Sequence, residues 1–543
     1  MQITFNAHIK IALILLIAAA LRIPGIFWGD IDRNQEGIIL EPDEFQHSDL
    51  AADYMHQWDP EIGYPLPYQF WNSRGFGYQM AWIGYLAEKV GTEKITDKKR
   101  VLIGRFLSTA YALLLIFMVY RMSRFLFQRE DIALLAALFL ALCDLNITFS
   151  HYALPASSYI FWAHATVFSS MFWFIRLDRT RNKVSLQQLS EQWLLWLGMN
   201  ISAAMAFATK FDFIPLCVAG LAIIVLWLRS KLGIAQVLAL GLLLLVGSVF
   251  FVFLAHGFHF SFDDLIYSFK IASGLNRDAV ASDNHLLTNL ITYPLGFIGG
   301  IGLVVFALAI YGKTRMFGKR GAAIFAGSNY RLAMGLWITF LAVEFLTRWL
   351  LDTTFIRRAN FVMPFLAVAG AVGFYYLTAT LKPRIRKGLW WAAVLYTGGL
   401  AISSQANFWN DTRYRARPLV QELGSGKSIR YSGYAWIPGM PGDRNHDPAD
   451  PDLWVIHEAF YGRVWKYFTT PFKVPRCCNE VYNCPPEEVC RNYQALLRGE
   501  LDYKLVGYYP TREYFPERLL FKYLFGSYET FLGDVRVYQR EGE

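Results

Sequence analysis

The feature that most constrains this chain is a succession of apolar runs, beginning with IALILLIAAALRIPGIFWG near the N-terminus. Crossing a hydrocarbon core of ~30 Å takes roughly 20 apolar residues in helical form. Runs approaching that length are expected at 8–28, 101–120, 132–150, 158–175, 193–209, 213–228, 235–256, 289–311, 332–350, 361–380 and 388–404. Composition agrees with this reading. Of the 543 residues 55% are hydrophobic and only 17% charged, where a soluble chain carries nearer a quarter. The expectation is a polytopic α-helical membrane protein of about eleven transmembrane helices.

A net charge of +9 could suggest nucleic acid as a partner, but the placement of the charge argues against it. The surplus Lys and Arg sit in short segments between apolar runs: Arg121, Arg124 and Arg129; Arg176, Arg179, Arg181 and Lys183; Arg229 and Lys231; Lys313, Arg315, Lys319 and Arg320; Lys382, Arg384, Arg386 and Lys387. Such segments face the cytoplasm by the positive-inside rule. Alternate segments then face outward: the 29–100 loop, the turns at 150–157, 209–213 and 350–360, the 257–288 loop and everything after about 405. The N-terminus falls inside and the C-terminus outside. The first run can also be read as a signal-peptide core, and cleavage there would leave the 29–100 loop on the same side.

Two parts follow: a membrane region over 1–404 and an extracytoplasmic C-terminal domain over 405–543. The tail turns polar and rich in Tyr, Pro and Gly, and DLWVIH and DVRVYQ have the look of strands, so a small α/β domain is expected. Four of the six cysteines gather in RCCNEVYNCPPEEVC, as Cys477, Cys478, Cys484 and Cys490. An oxidising compartment favours disulfides, and adjacent Cys477 and Cys478 fit the two-residue gap of a zinc knuckle poorly. Two disulfides are favoured over a metal, with the pairing open. Cys143 and Cys217 lie in apolar runs and read as packing residues.

The functional signal lies in the ionisable residues at the outer helix ends. EPDEFQH brings Asp43, Glu44 and His47 just after the first run; His151 opens the turn SHYALPASS; Lys210 and Asp212 sit in FATKFDF. His256, His259, Asp263 and Asp264 follow in AHGFHFSFDD, and Asp352, Arg357 and Arg358 in LLDTTFIRRANFVMP. Each has an ordinary explanation: arginines snorkel to headgroups, a Lys–Asp pair can sit at an interface, and lone histidines often just pack. Arg22 reads as a helix-end anchor. Their gathering on one side is what points to a site, since ionisable groups at membrane depth are costly and tend to mark function. Arg and Lys would hold a phosphate, and an Asp would take the proton of an attacking hydroxyl. A phosphate leaving group needs no acid, so one base suffices.

As an ordered set these motifs resemble the polyprenyl-phosphate-dependent glycosyltransferases of the GT-C superfamily. The nearest likeness is to bacterial relatives of the protein O-mannosyltransferases and the lipid A aminoarabinose transferases. EPDEFQHSDLAADYMHQWDPEIGYPLPYQF is similar to the family's first outer loop with its acidic pair. GRFLSTAYALLLIFMVYRMSRFLF is similar to its second span with a leading Arg, here Arg105. FSHYALPASSYIFW, AMAFATKFDFIPL, FIRRANFVMPFLAVAGA and DTRYRARPLVQEL resemble later segments in order. The resemblance covers most of 8–425 and implies a GT-C-like fold. It also implies transfer of a sugar (hexosyl or pentosyl) from a polyprenyl-phosphate donor to an acceptor hydroxyl, with inversion, at the outer face of a bacterial inner membrane.

On that reading Asp43 is the general base and Glu44 supports it or positions the acceptor. Lys210 with Arg357 or Arg358 binds the donor phosphate, and His47, His151, Asp212, His259 and Arg105 are supporting residues. The acceptor is a glycan, lipid or protein, and membrane lipids are further partners. SDLAADYMHQW would form an amphipathic helix along the membrane, with Leu50, Tyr54 and Trp58 on one face. Two departures stand out. The turn that often carries an acid near Ala156 or Ser157 reads Pro-Ala-Ser-Ser, which lacks the acid a divalent metal site would be built on. The usual Arg-Tyr pair has no Tyr. A flippase or transporter for a lipid-linked glycan is the alternative. Transporters carry internal repeats, helices broken at the midplane and charge at that depth, whereas here no repeat is evident and the charge lies at the helix ends.

Overall fold

A computed structural model describes residues 2–29, 43–58, 75–91, 94–180, 183–210, 212–255, 285–318, 324–325, 327–351, 356–432, 435, 437, 440, 450–458, 487–525 and 532–542. Helix α1 (Gln2–Ile26) leads into the first long loop, which holds α2 (Asp43–Trp58) and α3 (Gly75–Val90). Then follow α4 (Asp97–Phe127), α5 (Glu130–Ala141), α6 (Asp144–Ser150), α7 (Pro155–Asp178), α8 (Leu186–Ser190), α9 (Trp193–Lys210), α10 (Ile214–Leu228) and α11 (Ile234–Ala255). The second half of the membrane region contains α12 (His285–Ile301), α13 (Leu303–Phe317), α14 (Ser328–Leu351), a 3-10 turn (Ile356–Val362), α15 (Met363–Thr378) and α16 (Pro383–Trp409).

Each expected apolar run falls on a helix or a bent helix pair. Among the described residues six helices are long and apolar enough to cross a membrane, or eight if each bent pair is one span. The expected eleven is not reached by that measure; Ile214–Leu228, for one, is too short. The molecule is nonetheless a multi-pass helical membrane protein.

Burial separates the centre of the bundle from its rim. The apolar stretch of Ala359–Thr378 is 78% buried, against 22% for that of Ile234–Ala255, so α15 is central and α11 faces outward. Lipid tails are as apolar as leucine, so tight contact rather than hydrophobicity must hold such helices together. Here glycine permits that contact. A Cβ at Gly312 of α13 would stand 1.9 Å from the Ala369 carbonyl oxygen, and one at Gly373 of α15 would stand 2.0 Å from that of Leu308.

Two runs expected to be continuous are broken. The pair α5–α6 bends by 55°, and the α12–α13 pair by 112° at Gly302, whose φ of +87° favours glycine. Breaks leave backbone groups unsatisfied, which is costly away from water. At the first break buried Arg22 donates to the Ala141 carbonyl (3.1 Å) and to Asn146 Oδ1 (2.7 Å). At the second, the Leu303 N–H donates to the Glu517 carboxylate (3.2 Å). Both breaks are closed by protein side chains.

Leu50 and Tyr54 of α2 are buried against α3 and α4 together with Met55, Phe76, Met80 and Ala81, and Trp58 packs against this cluster. That face was expected to lie on the membrane. Instead it is spent inside the protein, because α3, unforeseen in the loop, offers it an apolar partner.

Beyond α16 come α17 (Thr412–Gly424), β1 (Ile429–Tyr431), β2 (Leu453–His457), α18 (Glu487–Arg498), β3 (Tyr503–Tyr509), α19 (Pro516–Phe525) and β4 (Val535–Arg540). The sheet order is β1-β2-β4-β3, with β1 parallel to β2 and the other pairs antiparallel. Alternation in the strands gives two apolar faces. Val455, Val535 and Val537 pack with Ala416 and Val420 of α17, and Trp454, Ile456 and Tyr538 pack with Tyr493 and Leu496 of α18. Both strands expected in the tail are present. Cys477, Cys478 and Cys484 lie outside the described residues, and Cys490 falls in α18 with its side chain outside them.

Candidate active site

The acidic pair of the first loop opens α2. Asp43 is its first residue, with its side chain outside the described ones. Glu44 is fully buried and held from three directions. Arg105 of α4 donates through Nε to Oε1 (2.8 Å) and through Nη2 to Oε2 (2.6 Å), and the Ala153 N–H donates to Oε1 (2.6 Å). The remaining Arg105 nitrogen donates to the carbonyls of Ile26 (2.8 Å) and Trp28. The Arg105–Glu44 pair thus joins the end of α1, through the guanidinium, to the start of α2 and, through the carboxylate, to the turn before α7. A buried pair survives only when its other hydrogen bonds are met, and here they are. Glu44 therefore fixes the helix start that carries Asp43.

Trp28 extends this node toward the C-terminal part. Its indole N–H donates to Asp411 (2.9 Å), and the Arg105 and Arg413 guanidiniums lie 5.8 and 5.3 Å from its ring centre. His151 packs edge-on against Phe408 at 5.0 Å. Gly25 makes room for it, since a Cβ there would stand 2.3 Å from the imidazole. Burial, with the Arg22 and Arg105 charges behind it, pushes His151 down to about 3. It is a neutral packing group at ordinary pH. His47 is likewise buried, edge-on to Phe76 at 5.7 Å.

A second group forms where α9 ends. The Asp212 carboxylate accepts from the Ile214 N–H (3.0 Å) at the start of α10 and from the Tyr159 hydroxyl (2.6 Å). That hydroxyl also meets Glu344, a fully buried residue of α14. The Lys210 ammonium lies 5.3 Å from the Tyr159 ring centre. Tyr159 and Glu344 are absent from the sequence expectations. Glu344 did leave a signal, being an acid in an otherwise apolar run, LAVEFL; Tyr159 left none.

The two groups share the segment 151–159, the turn before α7 and its first residues. They also connect through α3, where a Cβ at Gly77 would strike Leu50 of α2 (2.5 Å) and one at Gly75 the Ala208 carbonyl of α9 (2.7 Å). The structure thus gathers Glu44, Arg105, His47 and His151 into one node and Lys210 and Asp212 into another beside it. Arg357 and Arg358 belong to the 3-10 turn before α15, with side chains outside the described residues, and His259 lies outside them altogether. Among the described residues no three His, Cys, Asp or Glu side chains come together as a metal ion would need.

This is a multi-pass helical membrane protein, and several of its buried charged groups are paired across its helices. Residues 70–266 match the family model described as dolichyl-phosphate-mannose-protein mannosyltransferase. The matched stretch begins after Asp43–Glu44 and includes Arg105, His151, Tyr159, Lys210 and Asp212. No curated protein matches the chain. Among solved structures, the oligosaccharyltransferase of Archaeoglobus fulgidus, in complex with Zn and sulfate, is similar at 15% identity with a TM-score of 0.48, covering 81% of this chain and 59% of that one. ArnT from Cupriavidus metallidurans bound to undecaprenyl phosphate is similar at 13% identity and a TM-score of 0.48, covering 85% and 94%. The S. cerevisiae Pmt1-Pmt2 complex bound to the sugar donor gives 19% identity and 0.36, covering 48% and 34%. The chain thus spans 59% of the first of these structures.

Proposed function

We propose that the protein is an integral membrane glycosyltransferase that moves a sugar from a polyprenyl-phosphate donor to an acceptor hydroxyl at the outer face of the cytoplasmic membrane. The observation that carries the reading is the Glu44–Arg105–Ala153 lock, which fixes the start of the helix bearing Asp43. The match of residues 70–266 to a mannosyltransferase family supports it. Asp43 takes the proton of the acceptor hydroxyl, and that oxygen attacks the anomeric carbon. The bond from carbon to phosphate oxygen then breaks, and polyprenyl phosphate leaves with the electron pair, giving inversion. Lys210 and Arg357 or Arg358 hold the phosphate; Tyr159, Asp212 and Glu344 keep Lys210 in place. The membrane part, 1–404, carries this chemistry, and the part from 405 onward stands outside.

The test compares wild type with Asp43→Asn in detergent, supplied with labelled polyprenyl-phosphate sugars and an envelope extract. Label should leave the carrier in the wild type and do so at least ~10²-fold more slowly in the variant, the low end of a general base's contribution. Equal rates would overturn the role of Asp43. Movement of intact donor across a vesicle membrane without cleavage would overturn the transferase reading.

A further inference from the structure

Helix α19 is built the wrong way round for a helix bathed in water. Its three charged residues all turn toward protein. Glu517 accepts from the Tyr396 hydroxyl (2.8 Å) and the Leu303 N–H (3.2 Å). Arg518 pairs with Asp144 and with Glu513, both at 3.2 Å. Lys522 pairs with Asp534 at 2.6 Å. Two leucines turn outward instead, Leu519 at 51% and Leu520 at 47% exposure. A helix on a soluble domain presents the opposite pattern, apolar stripe inward and charge outward. Exposed apolar and buried charged groups on one short helix are what an apolar solvent selects.

Its partners show where that solvent lies. Tyr396 is the fourteenth of the 27 residues of α16, about 20 Å from either end at 1.5 Å per residue. The Phe515 ring lies 5.3 Å from the Tyr396 ring, and a Cβ at Gly399 would come within 3.1 Å of it. Arg518 reaches Asp144 at the α5–α6 break, and Glu517 reaches the α12–α13 break. Around these contacts α16 and α13 carry outward leucines, Leu395 at 65% and Leu303 at 47% exposed. The exposed leucines of α19 continue that lipid-facing surface.

We infer that α19, between strands β3 and β4 of the C-terminal sheet, re-enters the bilayer and presents Leu519 and Leu520 to lipid acyl chains. The breaks in α5–α6 and α12–α13 are where it seats, and Glu517 and Arg518 serve the backbone and side chains it meets there, while Lys522 ties it to the sheet domain. The C-terminal domain is then anchored in the membrane as well as linked to it by α16. This inference does not depend on the transferase reading.

Leu519→Cys and Leu520→Cys, each in full-length protein carrying Cys217→Ser, would be spin-labelled and reconstituted into phosphatidylcholine vesicles. Lys504→Cys on exposed β3 serves as the aqueous reference. Oxygen concentrates in the bilayer and a nickel chelate in water, so their relaxation effects report depth. The expected oxygen-to-nickel ratio at 519 and 520 is several-fold above that at 504. Nickel access equal to that at 504 would overturn the inference, as would protection from both agents, which marks a covering protein. Since both positions are exposed, cysteine opens no cavity, and two independent sites guard against one label perturbing the helix.

Discussion

At the scale of single residues, Glu44 and Arg105 show how an acidic motif can divide its labour. Adjacent carboxylates repel and are expensive to bury, so one must be neutralised if the other is to stay available. Arg105 does this for Glu44 with a two-pronged contact. Removing one member of a buried pair leaves an uncompensated charge and costs ~3–5 kcal/mol, whereas replacing both with apolar groups costs little. Arg105→Met should therefore lower the thermal midpoint of the detergent-solubilised protein sharply. The double variant Glu44→Leu with Arg105→Met should recover much of the loss. If single and double variants melt alike, no buried charge was left behind and the pair has been misjudged. The motif EPDE announced both acids; that one of them is spent on structure depended on an arginine 61 positions away.

Among elements, the broken helices are the clearest departure from sequence expectation. Hydropathy averages over a window and cannot register a bend, so 289–311 reads as one span. Gly302 turns the chain by 112°, and its left-handed backbone would strain any side chain there. A Cβ would also press on Leu400 at 3.1 Å. Gly302→Ala should lower the thermal midpoint by the equivalent of ~1–3 kcal/mol. Gly388→Ala makes the contrast: it lies within α16 with nothing within 4 Å of a new Cβ, and alanine should be neutral or better by up to ~1 kcal/mol. Equal effects at the two positions would mean that Gly302 is not under conformational demand. Broken helices are also found in transporters, but there the freed backbone lines a binding site. Here Arg22 and Glu517 occupy it.

For the molecule as a whole, the C-terminal domain carries a pH dependence. His457 ends β2, buried beside Asp411 and Arg413, and burial, then the Arg413 charge, pushes it down to about 3. Its folded value lies below the ordinary ~6.5, so protons bind the unfolded chain more readily. Its contribution is complete above about pH 6.5 and is lost as pH falls toward 3, by up to ~1.4 kcal/mol per unit. His151 adds the same sign. Burial raises Asp411 and Asp534, but Arg413 and Lys522 outweigh it and hold both below the usual range; their contributions fade only below about 3.8. The thermal midpoint should therefore drop between pH 6.5 and 4, and His457→Gln should flatten that slope. An unchanged slope in the variant would show that His457 protonates freely in the folded protein.

The sequence by itself determined the class of the molecule, because solvent sets that term: a chain of apolar runs with basic connectors has few alternatives to a helical bundle in lipid. It also named the charged residues of the candidate site and the two strands of the tail, since both follow from local order and alternation. Only the tertiary structure decided how those charges pair. Tyr159 meets Asp212 and Glu344 across 53 and 185 positions of chain, and Arg518 meets Asp144 across 374. Such contacts depend on which helices neighbour one another, and no local pattern records that. The same holds for α19, whose outward leucines mean little until its buried charges are seen to sit against the membrane helices.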